Sequence, residues 1–96
     1  MKTRYEEIEE AAVKFHRENP KVWECFVRFT FEVIHRGFRN YSAKGVFERI
    51  RWHTAVEMEG EQYKVNNNWA PYYGRKFNDN HPELGNGEFF ILRQMR

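Results

Sequence analysis

Apolar residues in the first part of the chain recur at helical intervals. Tyr5, Ile8, Ala12 and Phe15 stand three or four apart, with Glu6, Glu7, Glu9, Glu10 and Arg17 elsewhere on the wheel. That spacing predicts an amphipathic helix over about 5–18, its acids near the N-terminus where the helix dipole favours them. Asn19-Pro20 then predicts a break and a restart, with Asn as N-cap and Pro at the first helical position. Between about 21 and 36, Val22, Trp23, Phe26, Val27, Phe29, Val33 and Ile34 cover more than half the wheel, the profile of a central, largely buried helix. Gly37 is placed to supply its left-handed C-cap.

Ser42 is a good N-cap for a third helix, about 42–53, whose apolar face is Val46, Phe47, Ile50 and Thr54. Beyond it the period changes to two. Val56 and Met58 alternate with Glu57 and Glu59, Gly60 marks a turn, and Tyr63 and Val65 alternate with Lys64 and Asn66. This predicts a β-hairpin over about 55–66. The run Asn66-Asn67-Asn68 is a stop and cap signal, and Trp69, Tyr72, Tyr73, Lys76 and Phe77 predict a short fourth helix over about 69–78. A loop rich in Gly, Asn and Pro follows, and Phe89 to Leu92 predicts a last strand, about 88–93, pairing with the hairpin. The expected fold is therefore an α+β single domain over 1–96, helical with a β-hairpin wing, in the order of a winged helix-turn-helix.

Composition changes the emphasis. The apolar stock of the 96 residues is carried by nine Phe, five Tyr and three Trp, so rings must build the core. Phe26, Phe29, Phe47 and Trp23 belong to it, whereas Trp52, Trp69, Tyr72 and Tyr73 fall beside Arg, Lys or Asn and are candidates for a partner. They also suit a core that is poor in Leu. One cysteine, Cys25, gives no internal disulfide and reads as a small buried thiol. No apolar run approaches membrane-spanning length and no basic-then-apolar leader is present, so the expected setting is cytoplasmic, with no membrane partner.

Net charge is only +2, but it is unevenly spread. Residues 28 to 52 hold Arg28, Arg36, Arg39, Lys44, Arg49 and Arg51 against Glu32 and Glu48. A basic helix followed by a wing points to a non-enzymatic nucleic-acid-binding protein, with duplex DNA as the first expectation. Lys44, Arg49, Arg51, Lys64, Arg75 and Lys76 would meet phosphate, with Asn67, Asn68, Trp69 and Tyr72 nearer the bases. So low a net charge favours a weak contact or one assisted by a homodimer. The same arginines on a helix flank also suit a merely solvated face. The competing function is a protein-binding factor, with these aromatics and arginines anchoring another protein.

Enzymatic patterns are loose. Gln62-Tyr63-Lys64 with Glu57 and Glu48 imitates a carboxylate-plus-lysine nuclease site but has no Asp where such a site wants one. His53, Asn67 and His81 depart from the spacing of a His-Asn-His nuclease. No two of His16, His35, His53 and His81 stand four apart. A metal-dependent nuclease is thus a minor alternative, and no catalytic residue, metal or cofactor is expected.

The blocks FVRFTFEVIHRG (26–37), YSAKGVFERIRWHTAVE (41–57) and YKVNNNWAPYYGRKF (63–77), then His81-Pro82-Glu83 and Phe89-Phe90 with Arg93, resemble a family of small, mostly uncharacterised proteins encoded by bacteriophages and prophages. The resemblance covers nearly the whole chain; Gly74 and Cys25 stand where it implies Ala and an aliphatic residue. It implies a bacterial cytoplasm and a partner that is DNA or a host protein, with Asn66 to Asn68, Pro71, Tyr72, Tyr73 and Arg75 as the block most expected to matter.

Overall fold

The computed structural model describes residues 2–57 and 65–90. Helix α1 spans Arg4–Glu18, α2 Pro20–His35, α3 Ala43–Trp52 and α4 Ala70–Asn80. The helix starts and stops are local chemistry. Thr3 caps α1, its hydroxyl accepting from the Glu6 N–H at 3.1 Å, and Ser42 caps α3 by accepting from the Gly45 N–H at 3.3 Å. Gly37 ends α2 at φ +97°, and its N–H reaches the Ile34 carbonyl at 3.0 Å. Asn19 plays a different part from the one expected. Its side chain turns back to the Phe15 carbonyl at 3.1 Å and closes α1, leaving Pro20 alone to open α2.

The α+β expectation is overturned: the domain is helical, and no strand or sheet is present among the described residues. Where the first hairpin strand was expected, a π-helical turn, His53–Glu57, continues α3. The reason is the burial of Thr54, 2% exposed, one helical turn beyond Ile50; its hydroxyl donates to the Arg51 carbonyl at 3.2 Å. Two alternating apolar residues cannot outweigh an apolar face already in helical register. Residues 58–64, the rest of that hairpin and Lys64 with it, lie outside the described residues. A 3-10 turn, Asn67–Trp69, leads into α4, capped by the Asn66 side chain, which accepts from the Asn68 N–H at 2.9 Å.

The expected last strand is also absent as far as the described residues run. Phe90 forms only an isolated parallel bridge with Tyr41, and residues 91–93 lie outside the described residues. Its backbone is satisfied by a side chain instead. Asn78 on α4 donates to the Phe90 carbonyl at 2.9 Å and accepts from the Phe90 N–H at 3.1 Å. A carboxamide offers the same donor and acceptor pair as a peptide group, so Asn78 takes the place of a neighbouring strand.

Helix α2 packs against α1, α3 and α4. At the centre is Tyr73, 0% exposed, meeting Phe47 at 5.3 Å and Phe26 at 5.5 Å between ring centroids, both near edge-to-face. Phe77, Phe89 and Phe90 extend the cluster on one side, and Phe29 and Ile50 on the other. Each buried ring contributes about 2–3 kcal/mol of transfer free energy, which is how so short a chain folds without disulfide bonds.

Candidate nucleic-acid interface

The described residues expected to meet nucleic acid fall into three clusters, and in two of them the cations hold the fold together; Lys64 lies outside the described residues. Arg51 projects from the last turn of α3 across to the start of the 3-10 turn. Its guanidinium donates to the Val65 carbonyl at 2.7 Å, to the Asn67 side-chain oxygen at 2.6 Å, and to Glu48 on its own helix. This fork satisfies three acceptors on two segments, a geometry for which a planar five-donor group is suited. Asn67 is exposed but already engaged by Arg51, and Asn68 is exposed with its backbone N–H held by Asn66.

The second cluster lies where α4 meets α1. Arg75 donates to the Tyr5 hydroxyl at 2.8 Å and to Glu9 at 2.9 Å. Trp69 packs on Phe15 with ring centroids 4.5 Å apart, and Lys76 sits over Trp23 at 5.5 Å. Tyr72 is half-buried beside Tyr73, and burial pushes its phenol upward from the ordinary range, with Glu9 adding to the rise and Arg75 opposing it. Tyr73, which the sequence left between a partner-facing ring and the core, is the buried centre of the core. His16 meets Trp23 and Tyr73 edge-on in the same region, and burial, helped by Lys76, lowers its pKa from 6.5.

The third cluster is a groove between the C-terminal half of α2, the connection that follows it, and α3. Its volume is about 440 Å³. Phe29, Val33, Tyr41 and Val46 give it an apolar lining, and His35, Arg36, Arg49 and Glu32 supply its polar groups. Arg49 lies flat against the structure, its guanidinium 4.2 Å from the Phe29 ring centroid and its Nε 3.9 Å from the Glu32 carboxylate. Arg36 and Arg39 are exposed on the connection, as is Lys44 in the first turn of α3. Phe38 stands beside them, 51% exposed and edge-on to Tyr41 at 5.6 Å.

Sequence reasoning thus named Arg49 but missed Arg36 and His35 as lining the same groove. The signal was there: the excess of bases between residues 28 and 52 includes Arg36 and Arg39 on the connection. Trp52 is exposed as expected, at 60%. Cys25 is half-buried, and its thiol is raised by burial; Arg28 and Arg49 pull the other way. No group of three or more His, Cys, Asp and Glu side chains among the described residues could hold a metal ion. No helix among them is long and apolar enough to cross a membrane.

Set against known protein families, curated proteins and solved structures, the chain matches none. Its function must therefore be argued from the groove and the charges around it.

Proposed function

We propose that this protein binds nucleic acid without catalysing a reaction on it, through the electropositive end of the domain formed by α2, the α2–α3 connection and α3. The observation that supports this reading is that Arg36 and Arg49 line a groove whose apolar walls are Phe29, Val33, Tyr41 and Val46, with Arg39 and Lys44 exposed on the adjoining connection and the first turn of α3. Cations that reach phosphates beside rings that reach bases are the two components of nucleic-acid affinity. Lys44 remains exposed from the sequence-derived set, and Arg49, itself packed on Phe29 and paired with Glu32, lines the groove; Arg51 and Arg75 leave the set, because their guanidinium donors are engaged by Val65 and Asn67 and by Tyr5 and Glu9. The resemblance to phage and prophage proteins supports a bacterial cytoplasmic setting.

Fluorescence anisotropy of labelled oligonucleotides tests the reading. If Arg36, Arg39 and Lys44 each neutralise one phosphate, affinity falls about 20- to 40-fold between roughly 50 and 200 mM salt. Arg36→Glu with Lys44→Glu, both on exposed positions, abolishes binding while the circular dichroism spectrum is unchanged. No anisotropy change with any oligonucleotide at low salt refutes the proposal.

A second reading, a protein-binding factor acting on a host protein, is favoured by Trp52, a large ring 60% exposed on the outer side of α3. In that case Trp52→Ala removes binding to the host protein, and the charge-reversal pair does not.

A further inference from the structure

The nucleic-acid reading leaves open whether a duplex or a single strand is bound, and the side chains of α3 bear on this. A helix that reads the major groove presents a row of unengaged donors one helical turn apart. On α3 the exposed row is Lys44, Glu48 and Trp52, which places a carboxylate where a phosphate or base edge would lie. Arg51 is turned onto Val65 and Asn67, and Arg49 onto Phe29 and Glu32. The face is poorly suited to a duplex.

The groove has the opposite character. A volume of about 440 Å³ lies toward the small end of ligand sites, too small for a helix or strand and ample for one nucleotide. Its apolar walls suit the flat face of a base. The Arg49 guanidinium, held against Phe29, offers a plane on which a base can stack, and the Phe38–Tyr41 ring pair continues the apolar surface outward. Arg36 and Arg39 lie on the adjoining connection, where the flanking phosphates would run.

Glu32 adds selectivity. Its side chain is 45% exposed, and its ion pair with Arg49 is long, at 3.9 Å, so acceptor capacity remains for a ligand. A carboxylate accepts and does not donate. Among the four bases, guanine presents two adjacent N–H donors, N1–H and the 2-amino group, on its Watson–Crick edge, and these match the two carboxylate oxygens. Thymine and uracil present one donor flanked by two carbonyls, which a carboxylate repels.

We propose that the α2–α3 groove seats a single unstacked guanine of a single-stranded nucleic acid, with Glu32 accepting from its Watson–Crick edge and Arg49 beneath its face. This rests on the nucleic-acid reading and narrows it to strand type and base.

Anisotropy with labelled eight-nucleotide strands tests it: oligo-dT, the same strand with one central guanine, the ribose versions of both, and a duplex of equal length. The single guanine raises affinity about 5- to 150-fold, the range of one bidentate base contact. Both sugars show the preference, because the readout is at the base edge. Glu32→Gln, with one acceptor oxygen in place of two, lowers the ratio of guanine-strand to oligo-dT affinity toward one. Being an exposed, isosteric change, it does not disturb the fold, and thermal melting confirms that. Equal affinity for strands with and without guanine overturns the proposal, as does a duplex that binds as tightly as the single strand. In either case nucleic-acid binding itself stands. Failure of every oligonucleotide to bind removes the groove assignment and the broader reading together, and the two failures are thereby told apart.

Discussion

Arg51→Ala separates a structural cation from a ligand-binding one. Arg51 donates to the Val65 carbonyl, to Asn67 and to Glu48, with its side chain one-third exposed. The Glu48 pair is exposed and contributes little. The bond to Val65 matters more, because Val65 is 6% exposed and truncation leaves its carbonyl short of a partner. A hydrogen bond from a charged donor contributes about 1.5–3 kcal/mol, and the Asn67 bond adds less because it is exposed. The expected loss is about 2–3 kcal/mol, lowering Tm by roughly 10–20 °C for a domain of this size. Urea unfolding followed by circular dichroism measures it, and Arg51→Lys recovers only part, since an ammonium cannot reproduce the planar fork. Oligonucleotide affinity, measured where the variant is fully folded, stays within about twofold of the parent, less than a single lost base contact costs. A variant that melts like the parent yet binds more than tenfold more weakly refutes the reasoning and returns Arg51 to the nucleic-acid interface.

Arg75→Ala detaches α4 from Tyr5 and Glu9; with Arg75 about one-third exposed, the loss is about 1 kcal/mol in urea unfolding, and oligonucleotide affinity does not change. Asn78→Ala strands both backbone groups of Phe90 in the core and costs about 2–4 kcal/mol; Asn78→Asp keeps only the acceptor and sets a carboxylate against the Phe90 carbonyl, so it is no better at neutral pH and improves on acidification. Tyr73→Phe removes a buried hydroxyl that no group among the described residues hydrogen-bonds and raises Tm by a few degrees, about 0.5–1 kcal/mol. His16, whose pKa is lowered from 6.5 in the folded state, favours folding when neutral. The unfolded chain therefore binds the extra proton, stability is complete above that pH and declines as pH falls below it toward the folded value, and unfolding midpoints of His16→Gln show a shallower decline.

The helix termini were legible because each signal acts within four residues. Ser42 reaches Gly45, and Gly37 needs only its own φ. Phe26, Phe29 and Phe47 were legible as core because a heavily apolar wheel has nowhere else to face. The hairpin was misread where Val56 and Glu57 fit two periods at once, and the burial of Thr54 on the continuing helix decided between them. Tyr73 lay among Arg, Lys and Asn in sequence but at the centre of the rings in space, since α4 turns that side inward. For the site, composition marked residues 28 to 52 as basic, without saying which of those cations would find partners inside the protein.

Arg51 and Arg36 show where the division lies. Both are arginines near a helix end, and by sequence alone they are equivalent donors. What separates them is whether an unpaired acceptor comes within reach on folding: Arg51 meets the Val65 carbonyl 14 residues away, Arg75 meets Glu9 66 residues away, and Arg36 stands exposed on the rim of the groove. Periodicity, caps and ring content are short-range properties, so the sequence by itself determined the first three helices and the means of building a core. The partners of a charged side chain depend on chain segments that only folding brings together, and so the tertiary structure alone decided which cations hold the fold and which stay exposed beside the groove.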